Sequence, residues 1–178
     1  MRTLFANMVS AEIPGEFDAA FISINSIGHL HSDDDIVSHL KATASSLRAG
    51  GIYIVHLNFA HEGGLPAGDC CTMERDGVSV KTWWRILSED MESRLSHQVG
   101  SFEVRRDGKV ERFDDRHTLR TWLFSDLQDL VQRCGQFEIA AIYGEEFEEL
   151  NDTEHLSGEL GNVYVILQTL DVAKLPIP

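Results

Sequence analysis

Apolar residues fill the stretch from Phe17 to Ile24, FDAAFISI, almost without a break. Such a run predicts a strand covered on both faces. Asn25-Ser26-Ile27-Gly28-His29 interrupts it with small and polar residues. Ser32 then precedes Asp33, Asp34 and Asp35, a hydroxyl able to cap a helix and three carboxylates suited to the positive end of its dipole. Ile36, Leu40, Ala44 and Leu47 recur at helical spacing and predict one buried face. Gly50-Gly51 predicts the stop, because glycine takes left-handed backbone without strain. Ile52 to Leu57 reads as a second apolar strand. Strand, crossover helix and strand predict a βαβ unit with parallel strands and a right-handed crossover.

The flanks carry other patterns. Arg2 to Phe5 reads as a short strand, Pro14-Gly15 as a turn, and residues 58–71, with Gly63, Gly64, Pro66 and Gly68, as a loop. Asp76-Gly77 lies between Thr72–Arg75 and Val78–Arg85, and Asp107-Gly108 between Arg94–Arg106 and Lys109–Phe124. Two hairpins with such turns predict an antiparallel sheet distinct from the parallel one, over residues 71–124. Ser125, with Gln128 three residues on, predicts a capping box, and Leu127, Leu130, Val131 and Cys134 the apolar face of a helix ended by Gly135. Phe137–Tyr143 and Val163–Leu167 read as strands joined by a solvated acidic connection from Gly144 to Gly161. The expected fold is α/β, one domain over residues 1–178, with the 71–124 segment as an antiparallel β insertion.

Composition narrows the partners. The 178 residues suit one domain with a real core, and 43% hydrophobic with 25% charged residues is ordinary for a globular protein. No apolar run is long enough to span a membrane and the first residues lack the apolar core of a secretion signal, so a cytoplasmic location and no membrane partner are expected. The net charge of −14 argues against a nucleic-acid partner and leaves a small molecule as the expected substrate. Cys70, Cys71 and Cys134 form neither a disulfide framework nor a zinc spacing and are expected as reduced thiols.

A βαβ unit presents ligands at the carboxyl ends of its strands, here Asn25-Ser26 and Asn58-Phe59. The aspartate opening a strand in Phe17-Asp18, the segment Asn25-Ser26-Ile27-Gly28-His29-Leu30 and the run Leu47-Arg48-Ala49-Gly50-Gly51-Ile52 together resemble the class I S-adenosylmethionine-dependent methyltransferases. The last run is close to that family's Leu-(Arg/Lys)-Pro-Gly-Gly, with Ala49 in place of proline. The resemblance implies a Rossmann-like methyltransferase sheet, truncated at its N-terminal side, since the family's glycine-rich cofactor loop and ribose-binding acid have no counterpart. It implies S-adenosylmethionine as cofactor and methylation of an O or N atom of a small molecule. Ala6-Asn7-Met8 falls where the family has a Gly-Asp-Met-like segment contacting adenine, and the Asn7 side-chain oxygen can accept the same hydrogen bond. Asn7, Met8, Asn25 and Ser26 are the cofactor-side residues so implied.

The chemistry asks for alignment of a nucleophile and removal of its proton, and His29 is the candidate base. His29 and His31 beside three aspartates do not make a metal site, because helix initiation explains the aspartates, so no metal is expected. Trp83, Trp84, Arg85, His117, Arg120 and Trp122 form a second polar and aromatic group, from which Trp84 and Arg120 are the substrate-side candidates. Neither a Gly-x-Ser-x-Gly elbow nor a Gly-x-Gly-x-x-Gly loop occurs, which speaks against a hydrolase or a nicotinamide enzyme. A sheet lacking its first strands leaves Phe17–Ile24 with an open edge, which predicts a homodimer or a partner chain covering it. The competing reading is a non-catalytic remnant of the fold serving as an interaction subunit.

Overall fold

The computed structural model describes residues 3–11, 13–59, 69–151 and 162–170. In chain order the elements are β1 (Phe17–Ile22), a 3-10 turn (Ser26–His29), α1 (Asp33–Ser46), β2 (Leu47–Asn58), β3 (Asp69–Arg75), β4 (Val78–Asp90), β5 (Leu95–Arg106), β6 (Lys109–Arg120), α2 (Phe124–Cys134), β7 (Phe137–Tyr143) and β8 (Asn162–Thr169). They form two four-stranded sheets, ordered β1-β2-β8-β7 and β3-β4-β5-β6. β1 and β2 are parallel, as the crossover helix requires, and β8 returns antiparallel between β2 and β7.

Period-two alternation builds the first sheet. Tyr53, Val55 and Leu57 are buried on β2, and their register partners Leu167, Val165 and Val163 are buried on β8. These residues meet Ile36 and Leu40 of α1 and Leu127, Leu130, Val131 and Cys134 of α2 in one core, so both helices cover the same face. Each such apolar side chain contributes about 1.5–3 kcal/mol by leaving water. The Ser32 hydroxyl accepts the Asp35 N–H at 3.1 Å, which starts α1 as its sequence predicts. Gly135, at φ 68, ends α2.

Six expectations change. β1 ends at Ile22, and Ile24 and Asn25 leave the strand in left-handed backbone. Among the described residues β1 is not covered on both faces: it is the edge strand of a sheet whose two helices lie on one side, and Phe17 and Phe21 stay 45% and 60% exposed. Residues 3–5 form no strand; Arg2 lies outside the described residues. Gly50-Gly51 does not stop α1, which has already ended at Ser46; the two glycines lie inside β2, in the bulge where the register jumps from Phe17↔Leu47 to Ala19↔Ile52. Gly50 has φ 72, and a Cβ on Gly51 would stand 2.9 Å from the Arg48 carbonyl oxygen, so the bulge needs both. Ser125 does not cap α2, whose N-cap is Leu123 with no side-chain bond. Asp126 in the first turn instead holds Arg94 at 2.7 Å. Of the loop expected over residues 58–71, Asn58 belongs to β2 and residues 69–71 to β3, while 60–68 fall outside the described residues, as do 152–161 of the connection expected from Gly144 to Gly161.

The second sheet follows the predicted hairpins. Asp76-Gly77 and Asp107-Gly108 both have positive φ at both positions, the turn geometry whose twist matches paired strands. This sheet is fastened to the carboxyl ends of β1 and β2. His31 Nε2 lies 2.9 Å from the Thr118 carbonyl on β6, and Arg120 meets Asp33 at 2.8 Å. Phe59, one residue past β2, bridges to Trp122 and meets Phe124 edge-on at 5.6 Å. Among the described residues no helix is long and apolar enough to cross a membrane.

Candidate functional site

The tip after β1 is a built turn. The Asn25 N–H donates to the His56 carbonyl at 3.1 Å, and the Ser26 hydroxyl donates to the Ser23 carbonyl at 2.6 Å. The Gly28 N–H closes the 3-10 turn on the Asn25 carbonyl at 2.9 Å. Ile24 and Asn25, at φ 55 and 49, each cost on the order of 1–3 kcal/mol in that backbone, so the surroundings must hold them there. The Asn25 side chain turns inward, where a Cβ on Gly28 would stand 3.3 Å from its amide atoms. The turn leaves the His29 ring exposed.

The second sheet supplies a facing wall. His29 and His117 have ring centroids 6.1 Å apart. His117 pairs with Gln98 across β5 and β6, and the Trp84 indole N–H donates to Gln98 Oε1 at 2.8 Å. Gln98, only 3% exposed, donates its other end to Ser96 Oγ at 3.1 Å, which fixes the amide. Trp84, Gln98 and His117 therefore share one face of the sheet, with His29 opposite. Two imidazoles beside an indole can accept a proton and pack against a flat or cyclic molecule.

Arg120 is not part of this group. Its register partner is Leu95, on the other face of β5, and its guanidinium is buried against Asp33, with its carbon 5.2 Å over the Trp122 ring. Arg133 of α2 joins the same carboxylate at 2.9 Å. Arg120 thus ties β6 to the start of α1 rather than facing Trp84.

The Asn7 and Met8 segment lies along β1. Asn7 Oδ1, in an exposed turn, accepts the Val9 N–H at 2.9 Å. The Met8 carbonyl stands 2.8 Å from His39 Nδ1, and His39 Nε2 stands 2.7 Å from the Tyr53 hydroxyl. The carbonyl can only accept, so Nδ1 carries the proton and Nε2 accepts from Tyr53. Burial lowers the His39 pKa and pushes the Tyr53 phenol up, so both are neutral. Met8, His39 and Tyr53 line a cavity of about 410 Å³ with Ile13, Phe17 and Ala20.

Buried polar atoms without hydrogen-bond partners gather at the same strand ends: Asn25 Oδ1, His56 Nε2, Arg120 Nε, Thr121 Oγ1 and Trp122 Nε1. Such atoms are uncommon and call for a water or a ligand. Among the described residues no three His, Cys, Asp or Glu side chains stand together as metal ligands do.

Reading from sequence missed His39, His56 and Gln98. His39 lies three residues after Ile36 on the buried face of α1, a usable signal. Counting back from the two-residue Asp107-Gly108 turn pairs Gln98 with His117. The Trp84 position carried no such signal, because a bulge between Ile86 and Ser88 shifts the β4–β5 register.

The chain superposes over most of its length on S-adenosylmethionine-dependent methyltransferases of known structure and has their fold over the part of them that it spans. No family model matches the chain. It is 25% identical over 123 residues to "Putative methyltransferase YqeM" of Bacillus subtilis strain 168, covering 68% of this chain and 48% of that protein. An S-adenosylmethionine-dependent methyltransferase from Clostridium acetobutylicum superposes with a TM-score of 0.73 at 19% identity, covering 93% of this chain and 63% of that one. The SAM-bound amino pentose methyltransferase CalS10 from Micromonospora echinaspora superposes with a TM-score of 0.67 at 12% identity, over 92% and 62% of the two chains. The chain thus spans about half the length of the curated relative and under two thirds of these solved structures.

Proposed function

We propose that this chain serves an S-adenosylmethionine-dependent methyl transfer in the cytoplasm, to an O or N atom of a small molecule. The observation that carries the reading is the exposed His29 ring at the end of β1, set 6.1 Å from His117 on the sheet fastened above it. Residues 1–178 act as one domain, with the second sheet as the substrate wall.

Asn25 and Ser26 at the end of β1, and Asn7 and Met8 along it, carry groups that suit the cofactor. Asn25 Oδ1 is buried without a partner, and Asn7 Oδ1 accepts one N–H while keeping a second lone pair. Ser26 donates to Ser23 and can still accept, and Met8 lines the cavity beside β1. Asn7, Met8, Asn25 and Ser26 would hold the group, which when bound supplies an electrophilic methyl. His29 takes the proton of the attacking hydroxyl or amine, with His117 facing it. Trp84, fixed by Gln98, packs against the substrate. Arg120 serves by holding β6 to α1. Calorimetry of S-adenosylmethionine against the 178-residue chain tests the reading: binding at micromolar ligand supports it, and no heat at high micromolar ligand overturns it for this chain.

The β1 edge favours a second reading. Among the described residues β1 has one strand neighbour, Phe17 and Phe21 are exposed, and an apolar cavity lies beside them. A homodimer or a partner chain covering this edge would make the chain an interaction subunit. Sedimentation of the purified chain tests the homodimer: concentration-dependent dimerisation that a charged substitution at Phe21 abolishes supports coverage of the edge by a second copy, and a monomer at all concentrations contradicts it.

A further inference from the structure

Ile24 and Asn25 are consecutive, both left-handed and neither glycine, at the base of the tip that carries Ser26 and His29. The two inter-strand bonds that hold them go to one residue. The Ile24 N–H donates to His56 Nδ1 at 2.9 Å, and the Asn25 N–H donates to the His56 carbonyl at 3.1 Å. The ring is fixed in turn, stacked on Tyr164 at 4.7 Å and 15°, with Phe147 stacked on Tyr164 at 5.1 Å. A bond received at Nδ1 requires that nitrogen to be bare, so the ring proton is on Nε2, which is buried with no partner.

We propose that His56 is the positioning residue of the candidate site: its neutral ring and its carbonyl together fix Ile24 and Asn25, and protonation of the ring releases the tip. A second ring proton sets N–H against N–H at Ile24, and a β-branched residue in left-handed backbone then loses its side-chain support. Among the described residues Tyr164 of β8 stacks on the ring, and the carboxylates of the turn after β7 are engaged elsewhere, Glu145 with the Asn162 amide and Glu148 against Gly144. The consequence for ligand binding rests on the methyltransferase reading; the clamp itself does not.

The test is the amide-exchange protection of Ile24, read by NMR on the full chain between about pH 8 and pH 5. The wild type loses protection about tenfold or more on acidification. His56→Asn, whose side-chain oxygen can stand at the place of Nδ1 and does not titrate, keeps a flat profile. His56→Phe, which keeps the stack on Tyr164, lacks the protection at every pH. A flat wild-type profile, an acid loss that persists in His56→Asn, or full protection in His56→Phe overturns the proposal. S-adenosylmethionine affinity on the same samples follows the protection. If no binding occurs at any pH while protection still follows the imidazole, the clamp stands and the functional reading falls.

Discussion

His39 is the residue whose chemistry is most tightly set by its surroundings. Held between the Met8 carbonyl and the Tyr53 hydroxyl, it is neutral because burial lowers its pKa. The unfolded chain takes up a proton near 6.5, and the folded chain only at lower pH. The stability His39 contributes is therefore full above 6.5 and lost as pH falls through the lowered native value. Urea denaturation at neutral and mildly acidic pH should show that loss, and His39→Gln should reduce it. Tyr53→Phe leaves Nε2 buried without its donor and should cost roughly 1–3 kcal/mol. Gly51 makes a steric demand instead: Gly51→Ala puts a methyl against the Arg48 carbonyl and should cost roughly 1–3 kcal/mol in the same experiment. That demand was invisible in the sequence, where a glycine pair after a helical pattern reads as a helix stop. His39 was legible, since it shares the stripe of Ile36 and Leu40, but a histidine on an apolar face says nothing of its partners until Met8 and Tyr53 arrive from elsewhere in the chain.

At the scale of elements, Arg120 is one of the groups that join the two sheets. It is 6% exposed, and among the described residues its carboxylate partner is Asp33. Asp33→Asn leaves a buried guanidinium unpaired, which costs roughly 3 kcal/mol when burial is complete. Asp33 itself is half-exposed, so a smaller loss of about 1–2 kcal/mol is expected by thermal or chemical denaturation. Hydrogen exchange should localise the loosening to the start of α1 and the end of β6. The elements themselves were largely legible. Asp-Gly turns fixed both hairpins, because positive φ at two positions admits few other residues. Ser32 and Gly135 marked helix ends for similarly local reasons. Burial was less legible, because FDAAFISI carries the same apolar run whether its neighbours lie on one face or two.

At the scale of the whole molecule, a βαβ unit directs its loop tips toward the sheet that the insertion builds above them. The sequence carried that arrangement through motif order and offered His29 and His117 as candidates, but it could not say that Arg120 would turn toward Asp33 or that Gln98 would hold the Trp84 indole. Those placements depend on strand register and on a bulge. The proposal to be tested is that a ligand meets residues 24–29 together with His117, whose ring stands 6.1 Å from that of His29. The most direct test is an NMR map of the chain titrated with S-adenosylmethionine. Resonances of Asn25, Ser26, His29 and His117 should shift together while the hairpin tips at Asp76-Gly77 and Asp107-Gly108 stay still. Saturable shifts confined to the tips, or to the outer face of the second sheet, would contradict it.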